Sequence, residues 1–523
     1  MASKTDYFDH VVVLMLENRS FDNILGYIST DVDGVIGKNL SNPAPVRTDG
    51  KIVHGASEGP VFVSPGTVMD EPNPDPGEYF PHVNTQLYNC VSPSSNAFEH
   101  KAADFKPPYN QPAAGQPATV ACAQLPYPAP MSGFVQDYYN NCDKTGLFED
   151  TPQRKEYEVI MKCFSPEVVP VMSGLAKHFA VFDKWHCAVP SQTFCNRSFF
   201  HAATSNGQVV NTPYTKWLRT DFNAPTIFNR LEDLGLSWVI YYDKTDYFPL
   251  TLLIHFQQLW PFFKHKENRK LHFKHMEDFD ADAASGDLPA YAFIEPRLFF
   301  NHNDQHPPIK ILGIPQRSTV TAGEELVNRV YNAVRKSNSQ GAGKSNSLNT
   351  LLTITYDEHG GCYDHVPPPQ CAVPPGDGAA AEMGFGFDRL GIRVPTIMIS
   401  AWIDAQVIRS QKQHTSMLKT LGAKWSFEAL TKRDASAPDF LEVFNRESPL
   451  PGSAWKVFTP INQPEGLENT DNRSHPLNDL QRAIVNAVNG IGNETAVLFD
   501  ADMTVGEALD LMEKKLNGLV EGV

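Results

Sequence analysis

Two apolar runs stand out from the polar background of the chain: Val11-Val12-Val13-Leu14-Met15-Leu16 and Leu351-Leu352-Thr353-Ile354-Thr355-Tyr356. Neither alternates apolar with polar positions, and both contain β-branched side chains, which predicts strands buried on both faces of a parallel sheet. Further strand-like runs lie at 178–182, 238–242, 291–294 and 394–400, alternating with helical patterns such as 324–333 and 415–421. That alternation predicts an α/β fold, a mostly parallel central sheet flanked by helices.

The patterning also divides the chain. Residues 1–450 read as one large catalytic domain, within which 42–132 are rich in Pro, Gly, Asn and Ser and predict a long irregular insertion roofing one face. Residues 451–523 read as a small C-terminal helical appendage with a structural role. In it Pro476 opens one helical pattern, and Thr504-x-x-Glu507 forms a capping box ahead of another. The loop 337–345 ends in Gly343-Lys344-Ser345, but the earlier glycine that a phosphate-cradling loop needs is replaced by Asn338. Nucleotide binding there is rejected.

Ligands of open α/β sheets bind beyond the carboxyl ends of the strands. The first apolar run is followed by Glu17-Asn18-Arg19-Ser20-Phe21-Asp22, the second by Asp357-Glu358-His359-Gly360-Gly361. Glu17, Asp357 and Glu358 together would repel one another and raise one another's pKa values, and a divalent cation with oxygen ligands removes that conflict. An acid after a strand is also a common helix cap or solvated residue; two such ends, each with paired oxygen ligands, favour a metal site.

Val189-Pro190-Ser191-Gln192-Thr193 leads into the helical pattern 198–204, putting Thr193 near a helix N-terminus. Exposed N–H groups there favour a phosphate-type anion, and a hydroxyl beside a metal can attack phosphorus. On local sequence alone, helix capping is the commoner use of such a threonine. His306, in the loop Asn303-Asp304-Gln305-His306-Pro307, could give a proton to a leaving oxygen. Glu78, His82, His365 and His414 are further candidates by residue type. The aromatic and basic stretch 256–276 reads as a helix with one buried and one solvated face, or less readily as a membrane-interface patch.

Charge narrows the partners. The net charge of −16 argues against nucleic acid and against docking on anionic lipid, leaving neutral or zwitterionic headgroups open. No apolar stretch is long enough to span a membrane. The amino end has no apolar signal segment, so the expectation is a cytoplasmic protein, or one exported by a non-classical route. The eight cysteines include no C-x-x-C pair; one or two bridges among Cys90, Cys122 and Cys142 stay open. Asn18-Arg19-Ser20 and Asn196-Arg197-Ser198 match glycosylation sequons, but sugars there would block the expected site, so both are taken as accidental.

The run Glu17 to Asp22, the turn Thr193-x-x-Asn196-Arg197 and the run Tyr356-Asp357-Glu358-His359-Gly360-Gly361-x-Tyr363-Asp364-His365-Val366 resemble the phosphoesterase family of non-specific, phosphatidylcholine-type phospholipases C and related acid phosphatases. Weaker matches at Asp75-Pro76-Gly77-Glu78, Ile294-Glu295-Pro296-Arg297, Asp304-Gln305-His306-Pro307, Arg393-Val394-Pro395 and His414-Thr415-Ser416 extend the resemblance over roughly residues 8–440. The resemblance implies an alkaline-phosphatase-like fold and a divalent metal, with zinc, calcium, magnesium and manganese all compatible. Its ligands would be Glu17, Asn18, Thr193, Asp357 and Glu358. Thr193 would be the nucleophile and His306 a phosphate-contacting or leaving-group histidine, while Asn18, Asn196, His365, Glu78 and His82 would contact substrate. The implied substrate is a phospholipid, cleaved to diacylglycerol and a phosphorylated headgroup through a phosphothreonine intermediate with transient membrane-surface contact. The alternative is a soluble phosphomonoester cleaved by an acid phosphatase. Two departures stand out: Pro190-Ser191-Gln192 replaces the usual Pro-Gly-Pro, and Ile309 occupies the place of a second histidine.

Overall fold

In the computed structural model, the residues described are 3–47, 52–89, 125–144, 152–211, 214–219, 221–246, 248–298, 302–307, 310–311, 314–315 and 319–462, with isolated positions at 485, 504, 506–508, 510–511 and 514. Their centre is an eight-stranded sheet. In chain order its strands are β1 (His10–Leu16), β2 (Ala180–Phe182), β3 (Trp238–Tyr242), β4 (Phe273–His275), β5 (Tyr291–Ile294), β6 (Thr350–Tyr356), β7 (Thr396–Ile399) and β8 (Gln406–Ile408). Their spatial order is β8-β2-β7-β6-β1-β5-β3-β4. All pairings are parallel except those of β7, which runs against both β6 and β2.

The two apolar runs lie side by side at the middle of this sheet. Every residue of β1 and β6 is buried, because helices cover both faces of the sheet. The pairing runs unbroken from His10↔Thr350 to Leu16↔Tyr356. Equal strand ends follow from that register, so Glu17 and Asp357 leave the sheet together; the Asp357 N–H still donates to the Leu16 carbonyl at 3.1 Å. A slip of one residue would turn every side chain of β1 to the other face.

Several expected boundaries move. The run 178–182 yields only the three-residue β2, since His178 closes the helix Pro170–His178. The run 394–400 becomes β7, reversed in direction. The expected helix 324–333 extends over Val320–Lys336, and 415–421 over Thr415–Trp425. The stretch 256–276 is not one helix: Phe256–Phe263 and Lys266–His272 are separate, and the chain then enters β4. Pro261 lies inside the first, which loses the hydrogen bond that a donor at that position would make and ends two residues later. Within the insertion, residues 80–88 form helix α1 (Phe80–Tyr88), while 90–124 lie outside the described residues.

Most of the expected C-terminal appendage, including the helix at Pro476, also lies outside them. Thr504 and Glu507 do exchange capping hydrogen bonds, at 2.9 and 3.3 Å, and Ala508 is buried with the main core. Cys142 carries a thiol instead of half a bridge, and Cys371, which the sequence did not single out, is in a disulfide. Among the described residues no helix is long and apolar enough to cross a membrane.

Candidate active site

Helix α2 (Thr193–Ala202) supplies the hydroxyl. Its N-cap, Gln192, makes no side-chain capping bond, and the approach loop is held instead by Asn196 from inside the helix. Asn196 Nδ2 donates to the carbonyls of Val189, Ser191 and Gln192 at 3.1, 2.7 and 3.2 Å, and its Oδ1 accepts from the Val189 N–H at 2.9 Å. All of its hydrogen-bonding capacity goes to the turn that presents Thr193.

Thr193 Oγ1 lies 3.4 Å from Glu17 Oε2. Glu17 Oε1 receives Arg197 Nη2, and Arg197 Nε stands 3.7 Å from Asp357 Oδ2. Arg197 reaches this point because it follows Thr193 by four residues, one turn further along the same helix face. The Asn18 N–H and the Glu358 N–H both donate to Asp357 Oδ1, at 3.1 and 2.7 Å. From the insertion, Glu78 contacts Asn18 Nδ2, which also sits 2.9 Å from His306 Nε2. Asp75, Glu78 and His306 offer ligand atoms within 4.8 Å of one another. Thus Glu17, Asn18, Thr193, Asp357, Glu358, Glu78 and His306, drawn from five separate stretches of chain, share one buried cluster.

Three oxygens in this cluster have no hydrogen-bond donor: Asn18 Oδ1, Asp357 Oδ2 and Glu358 Oε1. Burying carboxylate oxygens unsatisfied is costly. A hard divalent cation takes such oxygens as ligands, so the donor set fits one. The titration of the acids tells the same story. Burial pushes the Glu358 carboxyl well above its ordinary range, and the charges of Glu78 and Asp357 push it further. Glu17 is also raised, by burial first, with Arg197 pulling against that and Asp357 and Asp304 adding to it. Burial lowers the pKa of His306 against the opposing charge of Asp304, and its Nδ1 faces the Pro307 carbonyl at 2.8 Å.

The backbone is bent to make this cluster. Asn18 has φ of +57°, a conformation few side chains tolerate. Gly360, φ +61°, passes so close that a Cβ there would stand 2.1 Å from the Asn18 carbonyl oxygen; its N–H donates to Glu358 Oε2 at 2.8 Å.

Other candidates sit elsewhere. His82 Nδ1 lies 2.7 Å from Asp137 Oδ1, and the same aspartate takes Gln86 Nε2 at 2.8 Å. Gln86 Oε1 in turn meets His359 Nε2 at 2.7 Å, so His82 belongs to a layer behind Glu358. His365 Nδ1 stands 2.5 Å from Asp22 Oδ2 in a separate cluster with Arg393 and Asp364. His414 Nε2 meets the Asp357 carbonyl oxygen at 2.6 Å. The basic stretch after Phe256 is at the amino end of the sheet, where His272 stacks on Trp238, away from the cluster. Arg197 and Asp75 lie in the motifs that carry the family resemblance but had no role of their own, Gln192 stood only as a departure from the usual Pro-Gly-Pro, and Gln86 had no signal in the sequence.

The sequence matches the model of the Phosphoesterase family over residues 8–428. It is 33% identical to non-specific phospholipase C1 of Arabidopsis thaliana over 84% of this chain and 71% of the relative. It is 25% identical to phospholipase C B of Mycobacterium tuberculosis (strain CDC 1551 / Oshkosh) over 94% of this chain and 85% of the relative. Among solved structures, a protein in the alkaline phosphatase superfamily from Vibrio parahaemolyticus matches with a TM-score of 0.31 and 12% identity, over 68% of this chain and 83% of that one.

Proposed function

The chain belongs to the phosphoesterase family and is a hydrolase of phosphoester bonds, and from that premise we propose that it is a metal-dependent phospholipase of the C type working through a phosphothreonine intermediate. The observation that carries this reading is a helix-terminal hydroxyl 3.4 Å from Glu17, in a buried cluster that also holds three donorless oxygens. Asn18, Asp357 and Glu358, with Glu17 and Thr193, would hold the cation. When bound, it would screen charge on the phosphoryl oxygens and lower the pKa of a coordinated hydroxyl.

The chain's own groups do the rest. Glu17 Oε2, 3.4 Å from Thr193 Oγ1, takes the Thr193 proton. Thr193 Oγ forms a bond to phosphorus as the bond to the glycerol oxygen breaks, leaving the phosphoryl headgroup esterified to Thr193. His306, whose Nε2 faces Asn18 Nδ2 at 2.9 Å, protonates the departing oxygen. Water then attacks the same phosphorus, gives a proton back to His306, and releases the phosphorylated headgroup while Thr193 recovers its hydrogen from Glu17. Arg197 holds Glu17 and faces Asp357 throughout.

Mass spectrometry after brief exposure to phosphatidylcholine vesicles should find the phosphoryl headgroup on Thr193. Thr193→Ala should lose turnover by roughly 10⁴-fold or more, the scale of a lost nucleophile; full turnover in that variant would refute the assignment. Rates on vesicles against a soluble aryl phosphate separate the phospholipase from an acid phosphatase. Loss of activity on chelation, restored by re-adding single divalent ions, tests the cation.

A further inference from the structure

Two arms of chain bring opposed carboxylates to the catalytic cluster. Glu78 arrives on the insertion, and Glu358 lies just beyond the carboxyl end of β6; both are buried. After burial, the charge of Glu78 is the largest influence raising the pKa of Glu358. Anions so placed repel one another, and the arms that carry them have to be held together against that force.

Gln86, buried on α1, touches both arms. Its Nε2 donates to the carbonyl of Gly77, the residue before Glu78, at 2.7 Å, and to Asp137 Oδ2 at 2.8 Å. These bonds use both amide hydrogens and fix which way the side chain faces, since turned over its oxygen would oppose a carbonyl and a carboxylate. Oε1 is left to accept, and His359, the residue after Glu358, donates to it from Nε2 across 2.7 Å. The arms also meet beside this amide: a Cβ on Gly361 would stand 2.5 Å from the Gly77 carbonyl oxygen and 3.2 Å from Gln86 Nε2. Asp137, on the helix Phe134–Lys144, is held in turn by His82 Nδ1 at 2.7 Å, so the anchor behind Gln86 is itself fixed.

We propose, on the reading of this cluster as the catalytic site, that Gln86 is a positioning residue, a neutral clamp that fixes the arm carrying Glu78 at its working distance from the arm carrying Glu358. An amide suits the task because it supplies three hydrogen bonds and adds no charge to a cluster already rich in carboxylates. Without the clamp, Glu78 and Glu358 move apart, which slows the chemical step although every group that touches substrate is still present.

Two variants and one measurement on the wild type test this. Gln86→Met keeps the volume and loses all three bonds; Gln86→Glu keeps the length and an acceptor oxygen but, ionised, loses both donors. In each, kcat on phosphatidylcholine vesicles should fall about 10- to 100-fold, the range for losing an outer partner of a metal ligand, with KM within about twofold of wild type. Crystals of the chelated variants should show the Glu78 and Glu358 carboxylates further apart than in the wild type. Neutron diffraction from the wild type needs no variant: the deuteron of His359 should lie on Nε2, facing Gln86 Oε1. A residue that only fills space would keep its kcat in Gln86→Glu. Unchanged kcat in that variant with the carboxylates unmoved, or a bare His359 Nε2 in the wild type, would overturn the proposal. Absence of turnover on vesicles by the wild type would instead strike the phospholipase reading, and the carboxylate spacing and deuteron position would still decide the clamp.

Discussion

Two buried acidic clusters lie a few residues apart in this chain, and they are completed differently. In the first, Asp22 and Asp364 flank Arg393. Arg393 Nη2 lies 3.0 Å from Asp22 Oδ1, and Arg393 Nε lies 3.0 and 3.3 Å from Asp364 Oδ1 and Oδ2. The His365 N–H and Nδ1 sit 2.8 and 2.5 Å from Asp22 Oδ2. All four carboxylate oxygens therefore have protein donors. In the second, Glu17 and Asp357 face Arg197 while Glu78 contacts Asn18, and oxygens of Asp357 and Glu358 are left over. Both clusters contain metal-capable side chains within 4.8 Å of one another, so proximity of acids does not distinguish them. The donor inventory does: the first is complete as folded, and the second has room for a ligand charge.

That contrast assigns opposite consequences to mutation. Glu358→Gln removes a charge for which the fold supplies too few donors. Activity should fall roughly 10³-fold, the scale of one lost preorganised electrostatic contact, while the thermal midpoint of the chelated protein stays level or rises. A large loss of stability would place Glu358 with the structural acids.

Arg393→Met does the reverse. It leaves Asp364 buried without its cation and Asp22 with His365 alone, a change worth ~3–5 kcal/mol of stability. Denaturant unfolding should register it, while protein still folded at low temperature keeps its full metal content. Loss of metal at unchanged stability would dissolve the distinction between the clusters.

Gly360→Ala probes the junction between strand end and site. A Cβ would press on the Asn18 backbone, which has no flexible side chain to yield, at a φ that disfavours any L residue. Displacing Asn18 and Glu358 by a fraction of an ångström should cost about 10²-fold in kcat/KM. The measurement is kcat/KM alongside circular dichroism, with secondary structure expected to be unchanged.

Legibility in the sequence followed the length and purity of each signal. β1 and β6 were readable because six-residue runs of apolar and β-branched side chains with no charged residue have few other uses in a chain this acidic. β4 and β8 were not: three residues at a sheet edge carry no periodicity, and Phe273-Lys274-His275 reads as part of the helix before it. Glu17, Asn18, Asp357 and Glu358 could be found because they follow the readable strands directly. Glu78 and His306 reach the site on loops, where local sequence holds no information about distance. Asn196 illustrates a subtler limit: the motif that marks it is compatible with touching substrate or with holding the turn, and its four hydrogen bonds to that turn appear only in three dimensions.

The smallest effect sharpens the comparison most, because it asks whether the complete cluster really carries its second cation. Burial draws the pKa of His365 down, but its hydrogen bond to Asp22 and the charges of Asp22 and Asp364 draw it further up, so the folded value lies above the ordinary one. A histidine raised in this way contributes stability that is fully present below its unfolded pKa of about 6.5 and is lost as pH rises through the folded value. Thermal midpoints of wild type and His365→Gln should therefore be furthest apart in mild acid and converge as the solution becomes alkaline. A separation independent of pH would mean that the imidazole is neutral in the fold. Arg393 would then be the sole cation balancing two aspartates, and the first cluster would differ from the second in degree of neutralisation instead of in kind.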